Sequence, residues 1–365
     1  MQDHEIASRA SGSKGSRAML TVYSDNHRLQ NARFELIDGK LLPPFENPLR
    51  ADRVLAQVQQ VGLGAVLPIQ TFGLDPILRV HDPGYVAFLQ TAWSDWVTAH
   101  GEYDALPLNW AVRTMRHDRV PETIDGRLSY YSFDAGTPIT SGTWQAITAS
   151  ANVALTAQQQ IAQGAGSAFA LCRPPGHHAA KDFYGGYCFL NNAAIAAQAF
   201  CDAGAARVAI LDLDYHHGNG TQAIFYERSD VLFVSLHGHP SQEYPYFLGF
   251  EDELGQGAGA GYNQNYPLRW GTDWSQYQTV LAEALNRIKT YSPDVLLVSL
   301  GVDTFEQDPI SEFKLKSADY LKIGASLAGL KKPTLFVLEG GYAIEQIGVN
   351  VVNVLTAFEE AELSR

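Results

Sequence analysis

Short apolar runs alternate with longer segments of helical periodicity along most of this chain. The apolar runs, which we predict to form β-strands, lie at 20–23, 168–171, 207–211, 230–236, 295–300 and 334–338. The segments in which apolar residues recur every three or four positions, which we predict to form α-helices, lie at 50–61, 85–99, 144–163, 191–203, 274–289, 317–330 and 344–361. This alternation is typical of a single α/β domain with a central, mostly parallel sheet flanked by helices.

Two internal segments depart from this pattern. Residues 101–140 mix Arg, Asp, Pro and Tyr with little periodicity, and residues 241–268 are aromatic and glycine-rich, so we predict a long loop there. Because unstructured segments of such length are uncommon in compact domains, we expect 101–140 to be an insertion that serves binding or assembly. Residues 1–18 are polar, and we expect a disordered tail or the remnant of a tag, followed by one domain at 19–365.

Composition excludes several classes of protein. The net charge is −13 and no basic stripe is present, so we expect no nucleic-acid partner. No apolar run is long enough to span a bilayer, and we expect no membrane association. The three cysteines form no disulfide framework, which favours a reducing compartment, and we therefore expect a cytoplasmic protein.

The first candidate for chemistry follows the predicted strand 207–211. There the chain reads Asp212-x-Asp214-x-His216, and alternate side chains of an extended chain share a face. Two carboxylates and one imidazole suit a divalent metal such as zinc. The alternative is a strand end whose aspartates cap the next helix, and this motif alone does not decide between the two.

Three other predicted strands also end in residues that can do chemistry. They are followed by RPPGHH at 173–178, VDT at 302–304 and EGGY at 339–342. The carboxyl ends of parallel strands meet at one edge of a sheet, and this edge is where ligands bind in open α/β folds. The four strand ends together therefore predict an active site at that edge.

This combination of motifs resembles the histone deacetylase superfamily, and more closely its acetylpolyamine amidohydrolase branch. The resemblance extends from about residue 20 to the carboxyl end, and its motifs lie at 25–28, 172–178, 185–192, 212–222 and 302–309. It implies a single-domain arginase/deacetylase-like fold with the active site at the carboxyl ends of the strands. Residues 19–365 would then be a deacetylase catalytic domain.

The chemistry of the residues and the resemblance select the same metal ligands. A three-ligand metal with an open position lowers the pKa of a bound water and polarises a carbonyl. We expect one zinc ion on Asp214, His216 and Asp303. The resemblance alone also implies a potassium ion, held by Asp212, Ser235 and Leu236 together with backbone oxygens of Asp214 and His216.

The resemblance also implies roles for the residues that handle protons. His177 would pair with Asp212, and His178 with Asn219. A carboxylate partner favours the charged imidazolium more than an amide does. We therefore expect His177 to give electrostatic support and His178 to act as the general base and acid. Tyr342 would donate a hydrogen bond to the oxyanion, opposite the metal.

For the substrate, the resemblance implies an aromatic tunnel and a narrowed entrance. Tyr187 and Tyr244 correspond to the aromatic pair that lines the tunnel. Glu35 and Asp125 lie at positions where an acidic group can meet a distal ammonium. The insertion 101–140 would build a homodimer and constrict the mouth of the site, which favours a small cationic acetylated amine over a folded protein.

These expectations define the predicted function and its alternatives. The chain is predicted to be a zinc-dependent amidohydrolase that removes acetyl groups from small polyamines or diamines, of the acetylputrescine or acetylcadaverine type, and releases acetate and the free amine. The main alternative is an acetyl-lysine deacetylase of proteins or peptides, which uses the same core chemistry. An arginase-like ureohydrolase would need more metal ligands for two manganese ions. A metal-binding scaffold without activity would not need both histidines and Tyr342.

Overall fold

The computed structural model of the protein describes residues 19–364, and the tail expected at 1–18 lies outside them. A sheet of eight strands, all paired in parallel, crosses the centre in the order β4-β1-β5-β10-β9-β6-β7-β8. The strands are β1 (Leu20–Val22), β2 (Glu35–Ile37), β3 (Lys40–Leu42), β4 (Val66–Leu67), β5 (Ser167–Ala170), β6 (Val208–Asp212), β7 (Val231–Gly238), β8 (Asn263–Leu268), β9 (Val295–Leu300) and β10 (Thr334–Leu338). Strands β2 and β3 form a separate antiparallel hairpin.

Helices cover both faces of the sheet. They are α1 (Leu49–Val61), α2 (Asp75–Leu78), α3 (Pro83–His100), α4 (Ile124–Tyr131), α5 (Thr143–Ala162), α6 (Asn192–Asp202), α7 (Asn219–Phe225), α8 (Trp274–Tyr291), α9 (Ser317–Ala328) and α10 (Ile347–Leu363). Helices α3, α5 and α6 pack in one hydrophobic cluster, and α1, α8, α9 and α10 pack in another.

The central strands are apolar on both sides because each side meets one of these clusters. Along β6, Val208 and Ile210 belong to the first cluster, and Ala209 and Leu211 belong to the second. Strands buried on both faces appear in the sequence as continuous apolar runs rather than alternating ones. This explains why the central strands could be recognised from the sequence.

Polar signals in the sequence determine where several helices begin and end. Asp82 accepts hydrogen bonds from the backbone N–H groups of Gly84 and Tyr85 at the start of α3, which has a proline at its first position. Asn191 caps α6 in the same way, since its side chain accepts a hydrogen bond from the N–H of Ala194. Helix α1 ends at Gly62, whose φ of 66° is the left-handed conformation that glycine adopts at little cost.

The predicted α/β architecture is confirmed, with three local differences. The segment 241–268, predicted as loop throughout, ends in the edge strand β8, whose sequence NQNYPL lacks the apolar run used to find strands. The short strands β2, β3 and β4 were also missed. The insertion 101–140 contains helix α4, whereas residues 111–123 are exposed throughout.

None of the helices in the described region, residues 19–364, has both the length and the apolar character needed to cross a membrane.

Candidate active site

The candidate catalytic and metal-binding residues that follow four of the strands lie at one edge of the sheet. In the spatial order of the strands, His177 and His178 follow β5, Tyr342 follows β10, Asp303 follows β9, and the motif at 212–216 follows β6. These four strands are direct neighbours, and the side chains that follow them are all buried. The topology therefore concentrates ionisable groups in a small region shielded from water.

Asp214, His216 and Asp303 form a compact group that could hold a metal ion. One ligand atom from each residue lies within 4.8 Å of the others. His216 Nδ1 is 3.1 Å from Asp303 Oδ2 and 3.5 Å from Asp214 Oδ1. Burial lowers the pKa of His216, but the two carboxylates outweigh it and raise the pKa well above its usual range. The site thus attracts positive charge, and two carboxylates and one imidazole are a ligand set that fits a divalent ion.

Backbone groups orient these carboxylates. Asp214 Oδ2 accepts a hydrogen bond from the N–H of Gly340 at 2.7 Å, and Asp303 Oδ1 accepts one from the N–H of Tyr215 at 2.8 Å. A Cβ atom at Gly301 would lie 2.2 Å from Asp214 Oδ2, and one at Gly340 would lie 2.5 Å from the same oxygen. The loops after β9 and β10 can therefore approach the ligands closely only because these positions are glycine.

Asp212 is directed differently from the two residues that follow it in the motif. Its Oδ2 lies 3.0 Å from His177 Nδ1 and its Oδ1 accepts a hydrogen bond from the N–H of Asp214. Strand β6 ends at Asp212, and the chain bends beyond it. The rule that alternate side chains share a face therefore does not apply to Asp214 and His216, which lie beyond the strand. The bend after Asp212 brings these two side chains close to Asp303.

The two adjacent histidines have contrasting environments. Burial lowers the pKa of His177, but the charges of Asp214 and Asp212 prevail and raise the pKa to about 10. Burial together with the nearby imidazoles of His177 and His216 lowers the pKa of His178 well below its usual value. His178 Nδ1 lies 2.6 Å from the amide oxygen of Asn219, so a neutral His178 donates from Nδ1 and leaves Nε2 free to accept a proton.

Tyr342 lies beside this group, on the turn that follows β10. Burial raises the pKa of its phenol well above the usual value, so the hydroxyl stays a hydrogen-bond donor. The buried guanidinium of Arg50, on α1, lies 4.6 Å from the centre of the Tyr342 ring and donates hydrogen bonds to the carbonyls of Gly341 and Glu339. Arg50 was missed in the sequence analysis because nothing in the pattern of α1 distinguishes a buried arginine from an exposed one.

A cavity of about 290 Å³ leads to these residues. His178, His216 and Tyr342 lie among its lining residues, as do Tyr187 and Tyr244. The lining also includes two carboxylates, Asp134 and Glu243, and within the described chain it includes no lysine or arginine. The cavity is therefore aromatic and acidic, which suits a slender cation.

The two lining carboxylates flank Tyr244. Asp134 Oδ2 accepts a hydrogen bond from the Tyr244 hydroxyl at 2.7 Å, and Glu243 Oε1 accepts one from the Tyr244 N–H at 3.0 Å. Both carboxylates belong to segments that the sequence analysis interpreted as irregular. Because no periodicity exists there, no signal singled out one acidic residue over another.

The acidic residues predicted for substrate binding lie elsewhere. Asp125 is on α4 and its carboxylate lies 2.9 Å from His100 Nε2, away from the cavity lining, so the expectation that it meets the substrate is not supported within one chain. Glu35 is fully buried outside the lining and accepts a hydrogen bond from the N–H of Phe45. Burial raises the pKa of Glu35 to about 7. The other two residues of β2, Leu36 and Ile37, line the cavity instead.

The residues predicted for potassium lie on adjacent strands. Asp212 of β6 is in register with Ser235 of β7, and Ser235 and Leu236 are fully buried. Ser235 Oγ is 2.8 Å from His237 Nδ1. The strand pairing thus brings the side chain of Asp212 and the end of β7 into one neighbourhood.

Comparison with known proteins gives the same answer as the geometry. Residues 44–358 match the family described as the histone deacetylase domain. The chain belongs to the histone deacetylase family. The resemblance predicted from the motifs is therefore confirmed. The family is generally metal-dependent, and Asp214, His216 and Asp303 supply a candidate metal site in this member.

Similar members of the family share names that describe one activity. The chain is 62% identical over 341 residues to acetylpolyamine amidohydrolase 2 of Pseudomonas aeruginosa. The aligned region covers 93% of this chain and 99% of that protein. The chain is 50% identical over 337 residues to the acetylpolyamine amidohydrolase of Mycoplana ramosa, covering 92% and 98%. The crystal structure of the acetylpolyamine aminohydrolase from Burkholderia pseudomallei superposes with a TM-score of 0.89 at 37% identity, covering 94% and 99%.

The metal ligands can be tested by substitution. Asp303→Ala should lower metal affinity by more than about 100-fold, because losing a ligand costs more than losing one of the groups that orient it. Metal content after dialysis against metal-free buffer, measured by mass spectrometry, checks this. Asp118→Ala, which removes an exposed carboxylate paired with Arg116, is the matched control and should keep its metal. A full equivalent of metal in Asp303→Ala would contradict the ligand assignment.

The proton carrier can be tested separately. His178→Ala should keep its metal yet lose about 10²–10⁴-fold in kcat, because removing a general base typically costs that much. Steady-state kinetics together with metal analysis separates the two effects. His100→Ala, on the surface of α3, is the control. Near-normal kcat in His178→Ala would remove His178 from this role.

Proposed function

We propose that the protein hydrolyses small acetylated polyamines and diamines, such as acetylputrescine and acetylcadaverine, to acetate and the free amine. The observation that carries this proposal is an acidic aromatic cavity lined by His178, His216 and Tyr342. His216 belongs at the same time to the buried group that it forms with Asp214 and Asp303. The names of the similar Pseudomonas and Mycoplana proteins support the same substrate class.

We propose zinc as the metal of Asp214, His216 and Asp303. When bound, a zinc ion supplies a Lewis acid that polarises the acetyl carbonyl and lowers the pKa of a water molecule. We also propose a potassium ion near Asp212, Ser235 and Leu236. It is supported by the number of carboxylates buried in this region, since buried anions are stable only when cations or hydrogen-bond donors compensate them.

The histidines would divide the proton chemistry. Nε2 of His178 takes a proton from the attacking water and delivers it to the nitrogen of the leaving amine, which departs as a neutral amine and then protonates in solution. The hydrogen bond from Nδ1 to Asn219 fixes the tautomer that this transfer needs. His177, kept protonated beside Asp212, stabilises the negative charge that develops at the carbonyl.

Tyr342 would donate a hydrogen bond to the oxyanion of the acetyl group. The donor must be in place before the charge develops, because a preorganised donor costs no rearrangement during the reaction. Arg50 supports this role, since it holds the turn that carries Tyr342 and lies against the face of its ring. The loss of such a donor commonly lowers kcat by about 10²–10³-fold.

Recognition of the amine would depend on the cavity walls. The rings of Tyr187 and Tyr244 suit the methylene chain of a diamine, and Asp134 and Glu243 favour its distal ammonium. Glu35 is too deeply buried to meet the substrate directly, and a contribution from it would pass through the neighbouring wall residues. The absence of a wall cation among the described lining residues favours an ammonium over a carboxylate at this position.

An acetyl-lysine deacetylase uses the same catalytic residues and is the second candidate. It is favoured by the wider family, which is named for deacetylation of histones. A ureohydrolase is not supported, because the family match and the placement of Tyr342 at the cavity both favour amide hydrolysis.

We also propose that the protein is a cytoplasmic homodimer whose insertion 101–140 lies at the interface. Leu108, Val112, Met115 and Val120 expose large apolar side chains within one short segment of the chain. Exposed apolar patches commonly mark protein–protein interaction sites. The three cysteines are free thiols, as is usual in a reducing compartment.

Substrate choice is tested with a panel that isolates the distal ammonium. We expect kcat/KM for acetylputrescine to exceed that for an acetyl-lysine peptide and for N-butylacetamide, which lacks the ammonium, by at least about tenfold, the effect of about 1.4 kcal/mol of added binding. Glu243→Gln should reduce the preference over N-butylacetamide. An enzyme that prefers the peptide would replace this proposal with the acetyl-lysine alternative.

The interface is tested by charge substitution rather than by deletion. Ile124, Leu128 and Tyr131 within the insertion are buried, so deleting the segment would expose the core. The double substitution of Leu108 and Val112 to lysine should convert a dimer to a monomer in sedimentation velocity, because it buries two charges at the interface. Leu363→Lys, an exposed leucine on α10, is the control. A wild-type monomer would overturn the proposed dimer.

A further inference from the structure

Tyr342 lies on the turn at 339–343, so the conformation of that turn determines where its phenol reaches. Gly341 has a φ of 126°, and a Cβ there would lie 2.6 Å from a methyl group of Val302. Gly340 packs against Asp214 and Asp303, with no room for a side chain. A turn with two glycines has much conformational freedom in isolation, so other residues must fix it.

The carbonyl groups of this turn are held from one side by Arg50. Its Nε donates to the carbonyl of Gly341 at 2.6 Å, and its Nη2 donates to the carbonyl of Glu339. Glu46 pairs with the same guanidinium at 2.9 Å. Arg50 thus holds two carbonyl groups of the turn, and a third, at Gly340, accepts from the N–H of Val302. Having no acceptor of its own, Arg50 cannot hold the N–H groups of the turn.

Two of those N–H groups, at Tyr342 and Ala343, are held by Asp308, which lies on the loop after β9 that also carries Asp303. Oδ2 of Asp308 accepts a hydrogen bond from the N–H of Tyr342 at 2.7 Å and from that of Ala343 at 3.2 Å. Its Oδ1 accepts one from the N–H of Ile310 at 3.2 Å. Asp308 is 7% exposed and has no ion-pair partner among residues 19–364.

A buried carboxylate without an ion-pair partner is costly, and burial raises the pKa of Asp308 to about 6 although its backbone donors lower it. An apolar residue would avoid the buried charge but would leave the N–H groups of Tyr342, Ala343 and Ile310 without this acceptor. The carboxylate provides two acceptors in fixed directions, one toward the Tyr342 turn and the other toward Ile310, which lines the cavity.

We propose that Asp308 is a positioning residue for Tyr342, and that it couples the phenol to the Ile310 wall of the cavity. The proposal rests on the proposed function, since it concerns the role of Tyr342 in amide hydrolysis. Asp308 contacts no substrate. It acts by holding the backbone N–H of Tyr342 while Arg50 holds the carbonyl of the preceding residue.

Replacement by asparagine keeps the size of the side chain but not its acceptors. One of the two terminal atoms becomes an amide NH₂, which then faces a backbone N–H of either Tyr342 or Ile310, donor against donor. The turn shifts if the NH₂ faces Tyr342, and the Ile310 wall shifts if it faces Ile310; both changes disturb the connection that the carboxylate makes between them. We expect Asp308→Asn to lower kcat by about 10–100-fold, a fraction of the loss for a missing oxyanion donor, and to change KM by less than about threefold.

A double-mutant cycle tests whether the effect passes through Tyr342. If it does, adding Asp308→Asn to Tyr342→Phe should change kcat by less than about threefold, because the group being positioned is already gone. If the two losses multiply, Asp308 does not act through Tyr342 and the proposal is overturned. Glu306→Gln, which removes a partly exposed carboxylate from the same loop, is the matched control and should leave kcat unchanged.

Two further measurements separate positioning from a general loss of structure. Asp308→Asn should retain its metal and show the Tyr342 hydroxyl displaced by about 1 Å or more in a crystal structure, since misplacement of that size can cost about 10²-fold in rate. A phenol that has not moved, in a variant that has lost activity, would contradict the proposal. Should Asp308→Asn not fold, Asp308→Glu keeps the charge and shifts the acceptors, and the same displacement is expected.

The cycle is measured on whichever acetyl amide the wild type hydrolyses. Failure of the wild type on acetylputrescine with turnover of an acetyl-lysine peptide would overturn the proposed substrate and leave the role of Asp308 open to the same cycle. Multiplying losses on either substrate would overturn the role of Asp308 and leave the proposed substrate intact.

Discussion

The concentration of buried carboxylates at one edge of the sheet is the constraint on which the rest of this structure depends. Asp212, Asp214 and Asp303 are at most 1% exposed, and anions withdrawn from water cost several kcal/mol each unless they are compensated. Imidazoles and backbone N–H groups supply part of that compensation, and a metal ion would supply more. The glycines, the adjacent histidines and the close approach of the turn after β10 all serve to bring these partners within reach.

The parallel sheet makes this concentration possible. Four neighbouring strands deliver their carboxyl ends to the same place, so residues more than a hundred positions apart become neighbours without any long-range motif. Much of the cavity wall comes from a different source. Asp134, Glu243 and Tyr244 belong to loops outside the central strands, so the cavity wall and the buried groups at the sheet edge are supplied by separate parts of the chain.

The sequence predicted the residues whose context is regular. His177, Asp303 and Tyr342 could be found because each lies within a few residues of the end of an apolar run, and parallel strands bring such positions together. The alternation argument placed Asp212, Asp214 and His216 on one face. In the structure Asp214 and His216 lie beside Asp303, whereas Asp212 faces His177, because the strand ends before the pattern can continue. The glutamate and aspartate of the cavity wall, Glu243 and Asp134, could not be found in this way, because loop conformation is determined by tertiary contacts rather than by periodicity.

Arg50 and Asp308 show a second limit. A buried arginine in an amphipathic helix and an aspartate in a loop have the same appearance in sequence as exposed ones, and their partners are backbone atoms that leave no trace in residue identity. Only the hydrogen bonds of the folded chain distinguish them. The strand β8 was missed for a related reason, since Asn263 and Asn265 are buried by hydrogen bonding to Gln222 rather than by apolar contact.

The hydrogen bond from the Arg50 side chain to the carbonyl of Gly341 joins residues that are 291 positions apart in the sequence. The turn that carries Tyr342 therefore cannot be completed until nearly the whole chain has been synthesised, whereas β5, β6 and the histidines emerge from the ribosome much earlier. During synthesis the chain contains the carboxylates of Asp212, Asp214 and Asp303 before it contains the phenol of Tyr342. The protein thus acquires its hydrogen-bond donor last, and shortened or unfinished chains are left without it.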